Sequence, residues 1–296
     1  MRRFSILLLF PLVFALPTAG PLLAQAPDST HAKAPPFFRW SDALLVGGFA
    51  ATALALDPLD VRIATHLQDS TVQANRFFHD VATTFRLLGQ PGPQIIGLGL
   101  YAVGRATRNK HIELLAVHGS EAMILSTTIT TVTKVIAGRA RPYLQNPPSK
   151  SLGFGLLRGL PKFLGGKGAD YQSFPSGHAT TAFAVASASS DEFAHWLDES
   201  HAWGGYKYLV GSVLYGGAGL IAASRVYNNK HWTSDVVTGA LVGTFSGLKT
   251  VEYNYRHPNN RVERWLVKLQ VIPGQGDIPT WIGFSVSPGF APAIPH

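Results

Sequence analysis

Three short segments of this chain carry residue types that can manage a phosphoryl group. The first runs Lys134-Val-Ile-Ala-Gly-Arg-Ala-Arg141-Pro142. A spacing of seven is two helical turns, so Lys134 and Arg141 are expected on one face of a helix that Pro142 ends. Arg139 falls off that face and is expected at solvent or lipid headgroups. The second segment is Phe174-Pro175-Ser176-Gly177-His178, a loop entering a helix. A helix N-terminus offers unpaired N–H groups and a positive dipole end, which suit an anion. Gly177 lets the backbone approach a ligand closely, and His178 is an odd residue for an ordinary first turn. The third is Ser224-Arg225-Val-Tyr-Asn-Asn-Lys-His231-Trp-Thr-Ser-Asp235. His231 and Asp235 are expected as i, i+4 neighbours on one helix. An aspartate there can accept from one imidazole nitrogen, fix the tautomer and leave the other nitrogen as nucleophile. Taken singly, each segment has a plainer reading: a basic helix end, a serine cap, a surface His–Asp pair.

Helices must bring these residues together. Hydrophobic periodicity predicts them over 43–56, 72–88, 94–103, 113–136, 178–197, 206–223 and 232–251. Ser41 would cap the first and Asp57-Pro58 would stop it. The expected fold is all-α, a bundle of about six or seven helices around a buried phosphate site. The row Gly239, Gly243, Gly247 carries no side chains, so that face should press against a neighbouring helix with His231 turned inward. Glu113, His118 and Glu121 are expected to find polar partners inside the bundle or at its end. Residues 143–174 read as a long Pro/Gly-rich loop. Alternating apolar residues between 265 and 286, around Pro273-Gly274-Gln275-Gly276, predict a short C-terminal β-hairpin.

The 296 residues carry a formal charge of +8, with 46% hydrophobic and 14% charged residues and no cysteine. The absence of cysteine excludes disulfides, thiolate metal sites and thiol nucleophiles. The positive charge suits phosphates or acidic lipid headgroups. Nothing resembles a zinc finger, homeodomain or RNA-binding signature, so nucleic acid is not an expected partner. Arg2, Arg3, an apolar run broken by Pro11 and the small residues Ala19, Ala24 and Ala26 read as an export signal over 1–24; a first transmembrane helix is the alternative. A Pro/Ala-rich linker would follow over 25–40, then a helical domain over 41–252 and a tail over 253–296. The apolar runs are mostly shorter than the ~20 residues a membrane span needs. A soluble bundle and a half-embedded one therefore both stay open.

In order, the segments read Lys-x6-Arg-Pro, Pro-Ser-Gly-His and Ser-Arg-x5-His-x3-Asp. The set resembles the type-2 phosphatidic acid phosphatase family, which shares its fold and site with bacterial acid phosphatases and vanadium haloperoxidases. The resemblance spans about residues 90 to 250. It implies a metal-independent phosphatase without a cofactor, acting on phosphate monoesters or diphosphates, with lipid-linked ones favoured. His231 would form a phosphohistidine and Asp235 would orient it. His178 would protonate the leaving group and then activate water. Lys134, Arg141 and Arg225, with the Ser176 hydroxyl and the Gly177 N–H, would neutralise the phosphoryl oxygens. The implied setting is the periplasmic side of a bacterial envelope, at the membrane. A vanadate-dependent haloperoxidase, a soluble periplasmic acid phosphatase and a non-enzymatic scaffold are the competing readings. The loop over 154–167 alternates apolar residues with Arg158, Lys162 and Lys167, a mixture expected at an anionic membrane interface.

Overall fold

The computed structural model describes residues 37–145, 148–149, 153–201, 203–257, 269–272 and 281–284. The expected export signal, and the linker up to residue 36, lie outside the described residues. Among those just before the bundle, the Phe37 and Phe38 rings meet edge to face at 4.8 Å. Helix α1 spans Trp40–Leu67, α2 Ser70–Gln73, α3 Arg76–Gly89, α4 Gly92–Thr107, α5 Lys110–Ala137, α6 Gly177–Glu199, α7 Gly205–Tyr227 and α8 Thr233–Arg256. The fold is an all-α bundle, as the periodicity predicts. Strands β1 (Leu269–Ile272) and β2 (Trp281–Phe284) pair antiparallel in the register Leu269↔Phe284 to Ile272↔Trp281, where the hairpin is expected. The expected turn between them, over 273–280, lies outside the described residues.

Helix α6 is the centre, packed on α5, α7 and α8. Its sequence is rich in alanine and serine, and small side chains let helix axes approach closely. Ala179, Ala182, Phe183 and Ala186 meet Ala218, Ile221 and Ala222 of α7 and Val236 of α8 in one core cluster. Ala184 and Ala188 meet Ala122 of α5 and Val251 of α8 in another. The glycine row on α8 does what its pattern suggests. A Cβ on Gly239 would lie 2.7 Å from the Ser176 carbonyl oxygen, and one on Gly243 2.3 Å from that of Thr180. On Gly247 it would lie 2.6 Å from the Ala184 carbonyl oxygen.

The helix expected over 72–88 starts instead at Arg76, capped by Asn75, after the separate short α2, and two further boundaries differ from expectation. Helix α1 continues through Pro58 to Leu67. A proline inside a helix removes one i→i−4 hydrogen bond but does not forbid continuation where packing holds both halves. Here α1 packs along α8. Helix α5 ends at Ala137, earlier than Pro142, because Gly138 adopts the left-handed conformation (φ +50°) that closes many helices. A Cβ at Gly138 would also fall 2.0 Å from the Gly155 carbonyl oxygen. The polar residues of α5 find partners inside the bundle. Glu113 pairs with Arg105 at 3.2 Å, His118 with Glu192 at 2.7 Å, and Glu121 accepts from Asn254 at 2.5 Å.

Candidate active site

The three segments converge where α6 and α8 begin and α5 and α7 end. The Ser176 N–H donates to the Asp235 carbonyl at 2.9 Å, so the second and third segments are pinned together. Ser176 is the cap residue of α6, yet its hydroxyl makes no capping hydrogen bond. That buried Oγ finds no partner among the described residues, nor do Nε and Nη1 of the buried Arg225. Buried donors left without acceptors are costly, and an anion would satisfy all three. Lys134 reaches the same place: its Cε would lie 3.8 Å from a Cβ on Gly177.

Lys134 and Arg141 do meet, but by a different route from the expected shared helix. Arg141 lies beyond the end of α5. Its Nε donates to the Ala169 carbonyl at 2.9 Å and its Nη1 to the Lys230 carbonyl at 2.8 Å. Lys134 Nζ donates to the Gln172 carbonyl at 2.6 Å, and Arg141 Nη2 reaches the same oxygen at 3.5 Å. The loop after Pro142, rather than a helix face, aligns the two cations.

His231 is buried, at 3% exposure. It precedes α8 rather than lying on it, so the expected helical His–Asp pair is replaced by another arrangement. Its Nδ1 lies 2.7 Å from the Ser173 carbonyl and 3.7 Å from Asp235 Oδ2, beyond a hydrogen bond. A carbonyl can only accept, so Nδ1 carries the proton and Nε2 keeps its lone pair. That Nε2 lies 3.5 Å from Arg141 Nη1, on the anion-binding side. Asp235 serves the scaffold instead. Its Oδ2 accepts from the Trp232 N–H at 2.9 Å and from the Ser173 hydroxyl at 2.5 Å. Burial pushes the His231 imidazole down to about 3; Lys134 and Arg141 add to the depression, and Asp235 opposes it.

His178 occupies the first turn of α6 and packs its ring against Gly89, where a Cβ would fall 3.1 Å from Cδ2. Burial, then Arg225, Lys134, Arg86 and Arg141, push it down to about 4. Arg86 of α3 is a cation near the site that the motifs did not single out. Nor did they single out Ser173, the partner of His231, which sits beside the Pro-Ser-Gly-His turn. Arg139 overturns its expected surface position: it is 1% exposed, and its Nη1 donates to Asp235 Oδ1. Helical phase misplaced it because the helix had already ended.

The bundle thus gathers three cations, a buried hydroxyl and two histidines near the starts of α6 and α8, a set of groups suited to an oxyanion. The family model of the PAP2 superfamily matches residues 116–259. The matched segment holds all three motif segments, from Lys134 to Asp235. A lipid A 1-phosphatase of Porphyromonas gingivalis is 34% identical over 117 residues, covering 37% of this chain. The chain spans about a quarter of that curated relative's length, 24%. Among solved structures, a transmembrane PAP2 type phosphatidylglycerolphosphate phosphatase from Bacillus subtilis aligns with a TM-score of 0.48 and 19% identity, over 74% of this chain and 98% of that one. LpxE of Aquifex aeolicus aligns with a TM-score of 0.43 and 23% identity, over 67% and 96%.

Proposed function

We propose that this chain is a metal-independent phosphatase of lipid-linked phosphate monoesters or diphosphates, acting through a phosphohistidine on His231 at the periplasmic face of a bacterial membrane. The observation that carries the reading is the pairing of an oriented nucleophile with unsatisfied donors. His231 has Nδ1 committed to a carbonyl, and its Nε2 faces Arg141. Lys134, Arg225 and the Ser176 hydroxyl stand around the same place.

In the first step Nε2 attacks phosphorus and the P–O bond to the leaving group breaks, while His178 gives its proton to the departing oxygen. In the second, His178 takes a proton from water, the water oxygen attacks phosphorus, and the P–N bond breaks to release phosphate. The three cations and the helix start hold the equatorial oxygens throughout. His178 starts this cycle protonated only if bound phosphate raises its depressed pKa, so substrate anion and general acid arrive together.

A lipid substrate is supported by what surrounds the site. Helices α1 and α7 are long and apolar enough to cross a membrane by length and composition. The loop before the phosphate turn exposes Leu156 and Phe163 at 77% and 85%. The Porphyromonas relative is named for a lipid phosphate. The test is a purified enzyme assayed on lipid phosphates and on a soluble aryl phosphate, with EDTA and with vanadate. Turnover is expected to survive EDTA and to fall with vanadate, a mimic of the transferring phosphoryl group. Loss in EDTA that magnesium restores would overturn the metal-free mechanism.

A further inference from the structure

Arg139 is gripped from two sides by carboxylates on different elements. Its Nη1 donates to Asp235 Oδ1 and, at 2.8 Å, to Ser234 Oγ. Its Nη2 donates to Asp60 Oδ2 at 2.8 Å. Asp60 belongs to the part of α1 beyond Pro58 and is fully buried. It also accepts from the Ser234 N–H at 2.8 Å and from the Ser234 hydroxyl. The rings of Phe154, Trp232 and Phe174 lie 5.1, 5.6 and 6.0 Å from the guanidinium carbon. They exclude water and supply cation–π attraction. The Arg139 carbonyl, finally, accepts from the Ser173 N–H at 3.1 Å.

An ion triad buried this deeply is a poor source of stability, because the desolvation of three charges offsets most of their attraction. Its geometry is demanding, however, and every contact converges on the residues behind His231. Asp235 holds the Ser173 hydroxyl and the Trp232 N–H. Ser173, fixed by Asp235 and by the Arg139 carbonyl, offers the carbonyl that orients Nδ1 of His231. We infer that Asp60 and Arg139 are positioning residues for the nucleophile, acting through Asp235 and Ser173 to fix the tautomer and direction of His231. The inference rests on the proposed phosphatase reading for its kinetic consequence, and its structural consequence is measurable without turnover.

The experiment uses the full chain. Asp60→Asn keeps the size of the side chain but removes the charge that balances Arg139. Its kcat is expected to fall roughly 10- to 100-fold, the range a small misplacement of a reacting group costs. The KM should stay within about threefold, since Lys134, Arg141 and Arg225 are untouched, whereas vanadate, which imitates the transferring phosphoryl group, should inhibit less well in step with the fall in kcat. Arg139→Lys should not restore function, because a point cation cannot bridge two carboxylates in a fixed fork. Combining Asp60→Asn with Asp235→Asn should cost little more than Asp235→Asn alone, because both cut one chain. Imidazole 15N shifts should show His231 protonated on Nδ1 in the parent protein and a mixture of tautomers in Asp60→Asn. If Asp60→Asn fails to fold, Ser234→Ala loosens the same grip and carries the same expectations. A folded Asp60→Asn or Ser234→Ala with unchanged kcat and unchanged tautomer overturns the inference. A parent protein inactive on every phosphate ester overturns the phosphatase reading instead, and the 15N shifts still decide the role of Asp60.

Discussion

In the proposed reaction His231 starts with Nδ1 held by a carbonyl and Nε2 directed toward Arg141, and this asymmetry sets what substitutions should do. His231→Ala should abolish turnover and the acid-labile phosphoenzyme together, checked by trapping with a radiolabelled substrate. His178→Ala should still form phosphoenzyme from an aryl phosphate, whose leaving group needs no proton, but should hydrolyse it slowly. The depressed imidazole has a second consequence. Its ordinary value is 6.5 and its folded value is about 3. Between these, the unfolded chain binds a proton that the folded chain refuses, so the burial of His231 costs stability as pH falls through that window. His231→Gln removes this penalty. Its unfolding midpoint should therefore decline less than the parent's between pH 6.5 and about 3.5. The motif residues were legible in the sequence because their types and spacings recur together. Arg139 and Asp60 were not. Each is a charge whose burial depends on a chain end or a helix continuation that local periodicity does not record. Asp42, Asp57 and Asp60 in a largely apolar α1 were nonetheless a signal, since a charge is seldom buried without a partner.

At the scale of elements, the site depends on how closely α8 lies along α6. The contact is made by glycines, so a single methyl group probes it. Gly243→Ala would set a Cβ 2.3 Å from the Thr180 carbonyl oxygen and 2.9 Å from the Ala184 nitrogen. Both are backbone atoms and cannot turn aside, so the helices must part. The cost should be about 1–3 kcal/mol, with a loss of activity as the starts of α6 and α8 separate. Gly216→Ala in α7 is the control. Nothing lies within 4 Å of its Cβ, and the change should stay within about 1 kcal/mol of neutral. Thermal unfolding of the two variants side by side checks both. The helices themselves were readable from periodicity, with ends displaced by a few residues, and the glycine row correctly marked a close contact. The passage of α1 through Pro58 was not readable. A proline tells the chain only that one hydrogen bond is missing, whereas the packing of α1 on α8 and the grip on Asp60 decide that the helix goes on.

Across the whole molecule, apolar surface and positive charge have to be reconciled with the proposed phosphate site at the helix ends. Trp40, Leu44 and Val46 of α1 and Tyr208, Leu209 and Val213 of α7 are exposed. At 1.5 Å per residue the 28 residues of α1 extend about 42 Å and the 23 of α7 about 34 Å. Either length is enough to cross a hydrocarbon core of roughly 30 Å. The loop over 153–172 is tied to Arg141, whose N–H donates to the Asp170 carbonyl at 3.0 Å and whose Nε donates to the Ala169 carbonyl at 2.9 Å; within the loop the Gln172 side chain donates to the Gly159 carbonyl at 2.7 Å. Its exposed Leu156 and Phe163, with Arg158, Lys162 and Lys167 among them, fit a surface of acyl chains beneath anionic headgroups. Leu157 is less suited to a test, since it holds φ +61° and its N–H donates to the Ile136 carbonyl. Replacing Leu156 and Phe163 together by serine should raise KM for a lipid phosphate in vesicles roughly tenfold or more, as expected for lost burial of two large side chains. Hydrolysis of a soluble aryl phosphate by the same variant should stay near the parent's rate, because no contact to Lys134, Arg141 or His231 is removed. Equal losses on both substrates would mean that the loop supports the site rather than the membrane, and no loss on either would take these two side chains out of substrate binding.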